Sequence, residues 1–322
     1  MLRRTFLALP PALLAARVSA QPARLPVVAS FSILGDMAAQ IGGERIALTV
    51  IAGADADAHG FQPRPSDAAA LRGARLVLRN GLGFDAWMDR MLRAASFQGA
   101  VVTTTEGITP RMMESHHHHG HGHGHAHGHD HGAGRRTQHS VGPRRVPDPH
   151  AWQDLRHGQA YVRTIAAALA AADPGGADGY RARADGYLAR LAALDSWVRA
   201  EIAAVPPARR RVVTSHDAFG YFGDAYGITF LAPQGVSTEA EPSAQQVARL
   251  IRQIKAENIT AVFMENIANP ATLRRIAAEA GVTVGGRLYA DALSGPGGPA
   301  PTYEAMFGHN VRLLVPAMRG AA

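Results

Sequence analysis

The chain contains no cysteine. Disulfides and zinc–thiolate sites are thereby excluded, so any metal it holds must be bound through nitrogen and oxygen. After a short apolar run near its start it has no stretch of eighteen consecutive apolar residues, the length a membrane-spanning helix needs. Charge is also sparse, with Asp, Glu, Lys and Arg making up 18%. The net charge of +7 comes mainly from scattered arginines, including Arg135, Arg136, Arg144 and Arg145, and no basic stripe interleaved with aromatics accompanies them. A nucleic-acid partner is therefore not expected. What is present is a globular composition, 47% hydrophobic over 322 residues, with 34 glycines and 20 prolines as turn signals. That length suffices for two domains of ordinary size or one large one.

One stretch departs from this composition. His116-His117-His118-His119-Gly120-His121-Gly122-His123-Gly124-His125-Ala126-His127-Gly128-His129-Asp130-His131 packs ten of the sixteen histidines into sixteen residues. It has no apolar side chain larger than alanine, so it cannot bury a core, and the sequence predicts a disordered loop over residues 115–145. Its chemistry must lie in the imidazoles. Neutral imidazole suits Zn²⁺, Cu²⁺ and Ni²⁺, and glycine between the rings lets many pairs converge on one ion. Metal handling is the function it points to, with an expression tag or a solvated loop as the alternatives.

The N-terminus reads as a cleaved export signal over residues 1–20. Arg3-Arg4 is followed by the apolar run from Phe6 to Ala16 and then by Val18-Ser19-Ala20, with small residues where a signal peptidase cuts. Arg3-Arg4-Thr5-Phe6-Leu7 fits a Sec or a twin-arginine signal equally, and an uncleaved anchor is the alternative. No cysteine follows the run, so a lipoprotein anchor is not expected.

Past the signal the pattern alternates. Strands are expected at Pro26–Ser30, Ile46–Ile51, Leu76–Leu78 and Val101–Thr105, with helices at Ile33–Ile41, after a cap at Ser66 or Asp67, and at Phe84–Ala95. Such alternation predicts a parallel sheet with helices on both faces, and sites in these sheets lie at the carboxyl ends of strands. His59 sits in the loop leaving the second strand. After the histidine tract, Val146-Pro147-Asp148-Pro149-His150-Ala151-Trp152 places His150 on a stiff loop between two prolines and a helix over Gln159–Ala172. From Asp178 to Val205 apolar residues recur in steps of three and four, which predicts one helix of roughly 40 Å at 1.5 Å per residue, long enough to join two lobes.

The second half repeats the alternation. Strands are expected at Val212–His216, Ile228–Leu231, Ala261–Met264 and Thr283–Leu288, with helices at Ala218–Tyr226, Gln245–Glu257 and Pro270–Ala280. His216 and Asp291 both fall at carboxyl ends of strands. The alternatives are a buried Asp217 that caps the following helix and a solvated Asp291. The fold class expected is α/β, with two similar parallel-sheet lobes bridged by one long rigid helix: an N-terminal lobe over residues 25–173, the linking helix over 174–207 and a C-terminal lobe over 208–322.

Five separated blocks, in order, resemble the zinc- and manganese-binding receptors of bacterial ABC metal importers. They are His59-Gly60-Phe61-Gln62-Pro63-Arg64-Pro65-Ser66-Asp67, Asn80-Gly81-Leu82-Gly83, Asp148-Pro149-His150-Ala151-Trp152, Thr214-Ser215-His216-Asp217-Ala218-Phe219-Gly220-Tyr221-Phe222, and Ser237-Thr238-Glu239-Ala240-Glu241-Pro242-Ser243. The resemblance covers nearly the whole mature chain, from about Val27 to Pro316. It implies two α/β lobes with one metal in the cleft between them, held by His59, His150, His216 and Asp291. Three imidazoles and a carboxylate suit tetrahedral Zn²⁺, whereas manganese receptors of the group place an acidic residue where this chain has His216. Asp217, Glu239 and Glu241 are candidates for orienting the ligand imidazoles. The pattern is departed from at Ala58, where a proline is usual, and at Gln153-Asp154-Leu155, where a proline is common. Both changes would loosen the ligand loops.

The resemblance implies a monomeric, periplasmic receptor that captures Zn²⁺ and passes it to an ABC permease in the inner membrane. Within that reading His116, His117, His118, His119, His121, His123, His125, His127, His129 and His131 form an accessory antenna for additional, weakly held ions, because glycine spacing cannot impose the geometry of one tight ion. The competing readings are a periplasmic zinc buffer or metallochaperone without a transporter, and a Mn²⁺ receptor of the same group. A zinc hydrolase would need a general base, and no motif places one, so an enzyme is not expected.

Overall fold

The structure is a computed structural model that describes residues 23–115, 144–235, 237–238 and 241–320. The export signal expected over 1–20, the ten histidines of the tract and Glu239 lie outside the described residues. In the first half the chain runs through β1 (Leu25–Phe31), α1 (Ser32–Gly42), β2 (Ile46–Ala52), α2 (Pro65–Gly73), β3 (Leu76–Arg79), α3 (Trp87–Ala94) and β4 (Ala100–Thr103). A two-stranded ribbon, β5 (Met112–Ser115) with β6 (Arg144–Pro147), then leads into α4 (Leu155–Ala172) and α5 (Ala177–Ala203). The second half is β7 (Arg211–Val213), α6 (Gly220–Tyr226), β8 (Thr229–Leu231), α7 (Ala244–Ala256), β9 (Val262–Glu265), α8 (Pro270–Ala280), β10 (Val284–Leu288) and α9 (Tyr303–Arg319).

The two halves repeat one topology. Their sheets run β2-β1-β3-β4 and β8-β7-β9-β10, each with four strands, all parallel. In each, the order reverses between the first and third strand, so loops leaving their carboxyl ends diverge and open a crevice there. Alternate side chains along the strands explain why both faces are covered. Val27, Ala29 and Phe31 join the central core, while Val28 and Val77 face Leu71 of α2 and Trp87, Met88 and Met91 of α3. Likewise Val212 and Phe263 face the central core, and Val213 and Val262 pack with Leu250 and Ile254 of α7 and Leu273 and Ile276 of α8.

Helix α5, expected over Asp178–Val205, spans 27 residues, which is about 40 Å at 1.5 Å per residue. It buries Tyr180, Ala184, Tyr187, Leu191, Val198 and Ile202, one face at helical spacing, against α4, α1 and α9. It thus touches elements of both halves. No helix among the described residues is long and apolar enough to cross a membrane.

Three local features differ from the sequence expectation. Helix α2 is capped at Arg64, not Ser66 or Asp67, with Pro65 in its first turn; Asp67 reaches back, its Oδ2 accepting the Arg64 N–H at 2.7 Å. Arg144 and Arg145, expected in a disordered loop, pair with Ser115 and Glu114 in the ribbon. Helix α9 had no counterpart in the expected pattern, because Gly308, Asn310 and Pro316 interrupt its periodicity. It is anchored by Thr302, whose Oγ1 accepts the Ala305 N–H at 3.1 Å, and by buried Asn310, which donates to Tyr289 O at 2.7 Å and accepts from Tyr289 N at 3.0 Å.

Candidate metal centre

Four loops bring His59, His150, His216 and Asp291 together at the facing carboxyl edges of the sheets. One ligand atom from each lies within 4.8 Å of all the others. His59 Nε2 is 3.1 Å from Asp291 Oδ2 and 3.3 Å from His150 Nε2; His216 Nε2 is 3.0 Å from Asp291 Oδ2, and His150 Nε2 is 3.6 Å from Asp291 Oδ1. A tetrahedral ion with bonds of about 2.0–2.1 Å requires ligand atoms about 3.3–3.4 Å apart, so small adjustments of these side chains would accept it. His150, His216 and Asp291 are fully buried, and the His59 side chain alone among the four retains exposure, at 6%. The cluster is therefore nearest to solvent at His59.

Each ligand loop is held by identifiable contacts. Beyond β2, the Asp57 carboxylate accepts the His59 N–H at 2.9 Å, and Trp87 Nε1 donates to the carbonyl of buried Ala58 at 2.8 Å. The alanine in place of proline does not leave this loop loose. The Phe84 ring meets the His59 imidazole edge-on with centroids 4.7 Å apart. Beyond β6, Asp148 Oδ1 accepts both the His150 N–H at 3.0 Å and, at 2.8 Å, faces its Nδ1. Asn80 Nδ2 donates to Pro149 O at 2.9 Å, and Tyr161 in turn donates to Asn80 Oδ1 at 2.7 Å. Trp152 Nε1 and Gln153 Nε2 both donate to Ala290 O, at 2.9 and 2.8 Å, which joins the His150 loop to the segment carrying Asp291. Gln153, where a proline is common, thus adds a hydrogen bond across the cleft.

Beyond β7, the buried Glu265 carboxylate organises His216. Its Oε1 accepts the N–H groups of Ser215 and His216 at 2.8 and 2.9 Å, and its Oε2 lies 2.5 Å from His216 Nδ1. A carboxylate on each Nδ1 favours a proton there and leaves the Nε2 lone pair for a metal. Asp291 Oδ1 is buried without a hydrogen-bond partner among the described residues, an acceptor facing the cluster. That orphaned oxygen is what a cation in the cleft would satisfy.

Without a metal the charges compensate one another. Burial opposes a charge on His150, but Asp291 and Asp148 outweigh it and raise its pKa to about 9. Burial likewise opposes charge on His216, and Glu265 and Asp291 hold its pKa well above the ordinary imidazole value. Burial disfavours the Asp291 carboxylate, yet His150 and His216 hold its pKa well below the ordinary range. Protons thus occupy the positions a divalent cation would take.

The four residues singled out from sequence as ligands converge. Of the groups expected to orient them, Asp217 and Glu241 are among the described residues. Asp217 sits beside His216 and its N–H donates to Gly235 O at 3.2 Å; Glu241 is exposed and lines a pocket with Asp57, Thr238 and Asn269. Among the described residues the carboxylates against the ligand Nδ1 atoms are Asp148 and Glu265. Glu265 ends β9, so the rule that drew attention to His216 and Asp291 applied to it as well. Asp148 falls within the Asp148–Trp152 block of the family resemblance, two residues before the ligand it holds.

Residues 27–317 match the family described as ZnuA, zinc-uptake complex component A, periplasmic. The chain is 32% identical over 292 residues to the manganese-binding lipoprotein MntA of Halalkalibacterium halodurans, covering 90% of this chain and 87% of that one. It is 29% identical over 288 residues to the iron-binding protein YfeA of Yersinia pestis, covering 89% and 84%. Among solved structures, the periplasmic zinc-binding protein TroA of Treponema pallidum superposes with a TM-score of 0.78 at 27% identity, over 92% of this chain and 99% of that one.

Proposed function

The chain belongs to the ZnuA family of periplasmic metal-binding proteins that serve ABC importers, and from that premise we propose that its cargo is Zn²⁺, taken up by His59, His150, His216 and Asp291 and surrendered to an inner-membrane permease. As a member it is an extracytoplasmic solute-binding protein, not an enzyme, and its partners are a divalent metal ion and an ABC transporter. The observation that carries the zinc reading is the buried set of three imidazoles and one carboxylate at near-tetrahedral spacing, with His216 supplying nitrogen in the third position. Zinc favours such a set, whereas manganese prefers oxygen donors and higher coordination. Residence free in the periplasm is supported by the absence of cysteine, the residue that carries a lipoprotein's lipid.

Manganese is the second reading, favoured by the relative named for that metal at 32% identity. Asp291 Oδ1, which has no hydrogen-bond partner among the described residues, would supply the additional oxygen that manganese wants. The histidine tract is assigned to collecting further, weakly held ions. Titration of the purified protein with Zn²⁺ tests the ligand set: one tight site is expected, and replacing His59, His150 or His216 by Ala abolishes it. Retention of the tight site in all three variants would overturn the assignment.

A further inference from the structure

Arg111 lies just before β5 and is not one of the four ligands. Its backbone carbonyl accepts the Asp148 N–H at 2.8 Å, and its Nη1 donates to Asp148 Oδ2 at 3.2 Å. Its Nε donates to Asp224 Oδ2 on α6 at 3.1 Å, and its N–H donates to the Tyr221 hydroxyl at 2.9 Å, which itself donates to Asp148 O at 3.0 Å. Arg111 therefore ties the loop of a metal ligand to a helix of the second half. Gly220 makes the space: a Cβ there would stand 2.4 Å from Arg111 Nη1 and 2.9 Å from Asp148 Oδ2.

The role follows from where the charges are buried. The Asp148 side chain is fully buried, with Oδ1 committed to His150 and Oδ2 to Arg111. Arg111 is thus the cation held against the outer oxygen of the carboxylate whose inner oxygen faces the His150 ring. Without Arg111, Oδ2 loses its hydrogen-bond donor in a buried setting, and a carboxylate that turns to reach water takes Oδ1 away from the His150 ring. The outer end of the arrangement is accessible, because the Asp224 side chain is 70% exposed and that of Arg111 is 32% exposed.

We propose that Arg111 is a positioning residue for the metal centre, holding Asp148 against His150 Nδ1 and fastening that ligand to α6, so that the lifetime of the bound ion depends on it. The inference rests on the reading of the four residues as the metal site. Removing a group that orients a ligand through its hydrogen bond costs metal affinity about tenfold or more.

The test is the release of Zn²⁺ from the full protein into excess chelator, together with the visible absorption spectrum of the Co²⁺-loaded protein. Arg111→Met is expected to speed release about tenfold and to shift the Co²⁺ d–d bands, and Arg111→Lys, which restores the charge, is expected to recover most of the lifetime. Arg111→Met releasing zinc within twofold of the parent protein, or Arg111→Lys releasing as fast as Arg111→Met, overturns the proposal. Should Arg111→Met fail to fold, Arg111→Gln carries the same expectation against Arg111→Lys and is overturned by the same results. His150→Ala separates the two levels: parental release rates in that variant would defeat the metal site itself, whereas loss of the tight ion there with an unaltered Arg111→Met defeats only the role of Arg111.

Discussion

Metal binding by this protein should expel protons, and the structure says from where. In the metal-free form His150 has a pKa of about 9, because Asp291 and Asp148 outweigh the burial that opposes its charge, and His216 is raised well above the usual value by Glu265 and Asp291. A metal needs the Nε2 lone pair of each ring, so at pH 7 each ring gives up one proton, about two per ion. For His150 the two pH units between its pKa of about 9 and neutrality amount to roughly 3 kcal/mol against binding at pH 7. The sign is that affinity rises with pH. Each of the two rings contributes about a tenfold gain per pH unit while pH stays below its pKa, so the two together give about a hundredfold per unit around neutrality, falling to about tenfold above the His150 pKa if His216 remains protonated. Titration calorimetry at pH 7 in buffers of different ionisation enthalpy counts the protons, and chelator competition at several pH values gives the slope. Fewer than one proton released per Zn²⁺, or an affinity flat between pH 6.5 and 8, would refute the charge assignment.

Three further outcomes follow from the same contacts. Glu265→Gln leaves its Oε1 contacts to Ser215 and His216 nearly isosteric but removes the negative charge 2.5 Å from His216 Nδ1, and should weaken zinc binding about 10–100-fold, as read by chelator competition; an unchanged affinity would exclude a role for this carboxylate. The metal-free protein should lose thermal stability as pH rises, since the His150 contribution is fully present below the unfolded value of 6.5 and disappears as pH passes the folded value of about 9; scanning calorimetry of metal-stripped protein that shows a rising Tm across that window would contradict this. Deleting residues 116 to 131 should leave the tight site in place and abolish only the weaker ions seen by equilibrium dialysis, and loss of the tight ion would reverse the roles given to tract and cleft.

The fold was legible because both of its signals are local. Parallel strands buried on two faces read as short apolar runs such as Val27–Ala29 and Val212–Val213, and α5 declares itself through Tyr187, Leu191, Val198 and Ile202 at helical spacing. The ligands were legible because histidines and an aspartate at carboxyl ends of strands are few, and a family resemblance fixed which of them belong together. What escaped depends on contacts between distant residues. Asn310 makes sense in α9 only once Tyr289 is beside it, and Glu265 lies against His216 from 49 residues away in the chain. Ala58 and Gln153 misled in the other direction: the proline each replaces suggests rigidity lost, but Trp87 and Ala290 supply it through hydrogen bonds. The ribbon of β5 and β6 was hidden because its two strands flank the histidine tract and pair across it.

Competition between metals alone is a weak arbiter, because zinc outbinds manganese at most sites of nitrogen and oxygen whatever their biological cargo. Coordination is the direct test of the central claim. Zinc K-edge X-ray absorption on protein loaded with one equivalent of Zn²⁺ should show four ligands at about 2.0–2.1 Å, three of them imidazole and the fourth a single oxygen from Asp291. A shell of five or six ligands, or one with fewer than three imidazoles, would contradict the account of a zinc receptor built on His59, His150, His216 and Asp291.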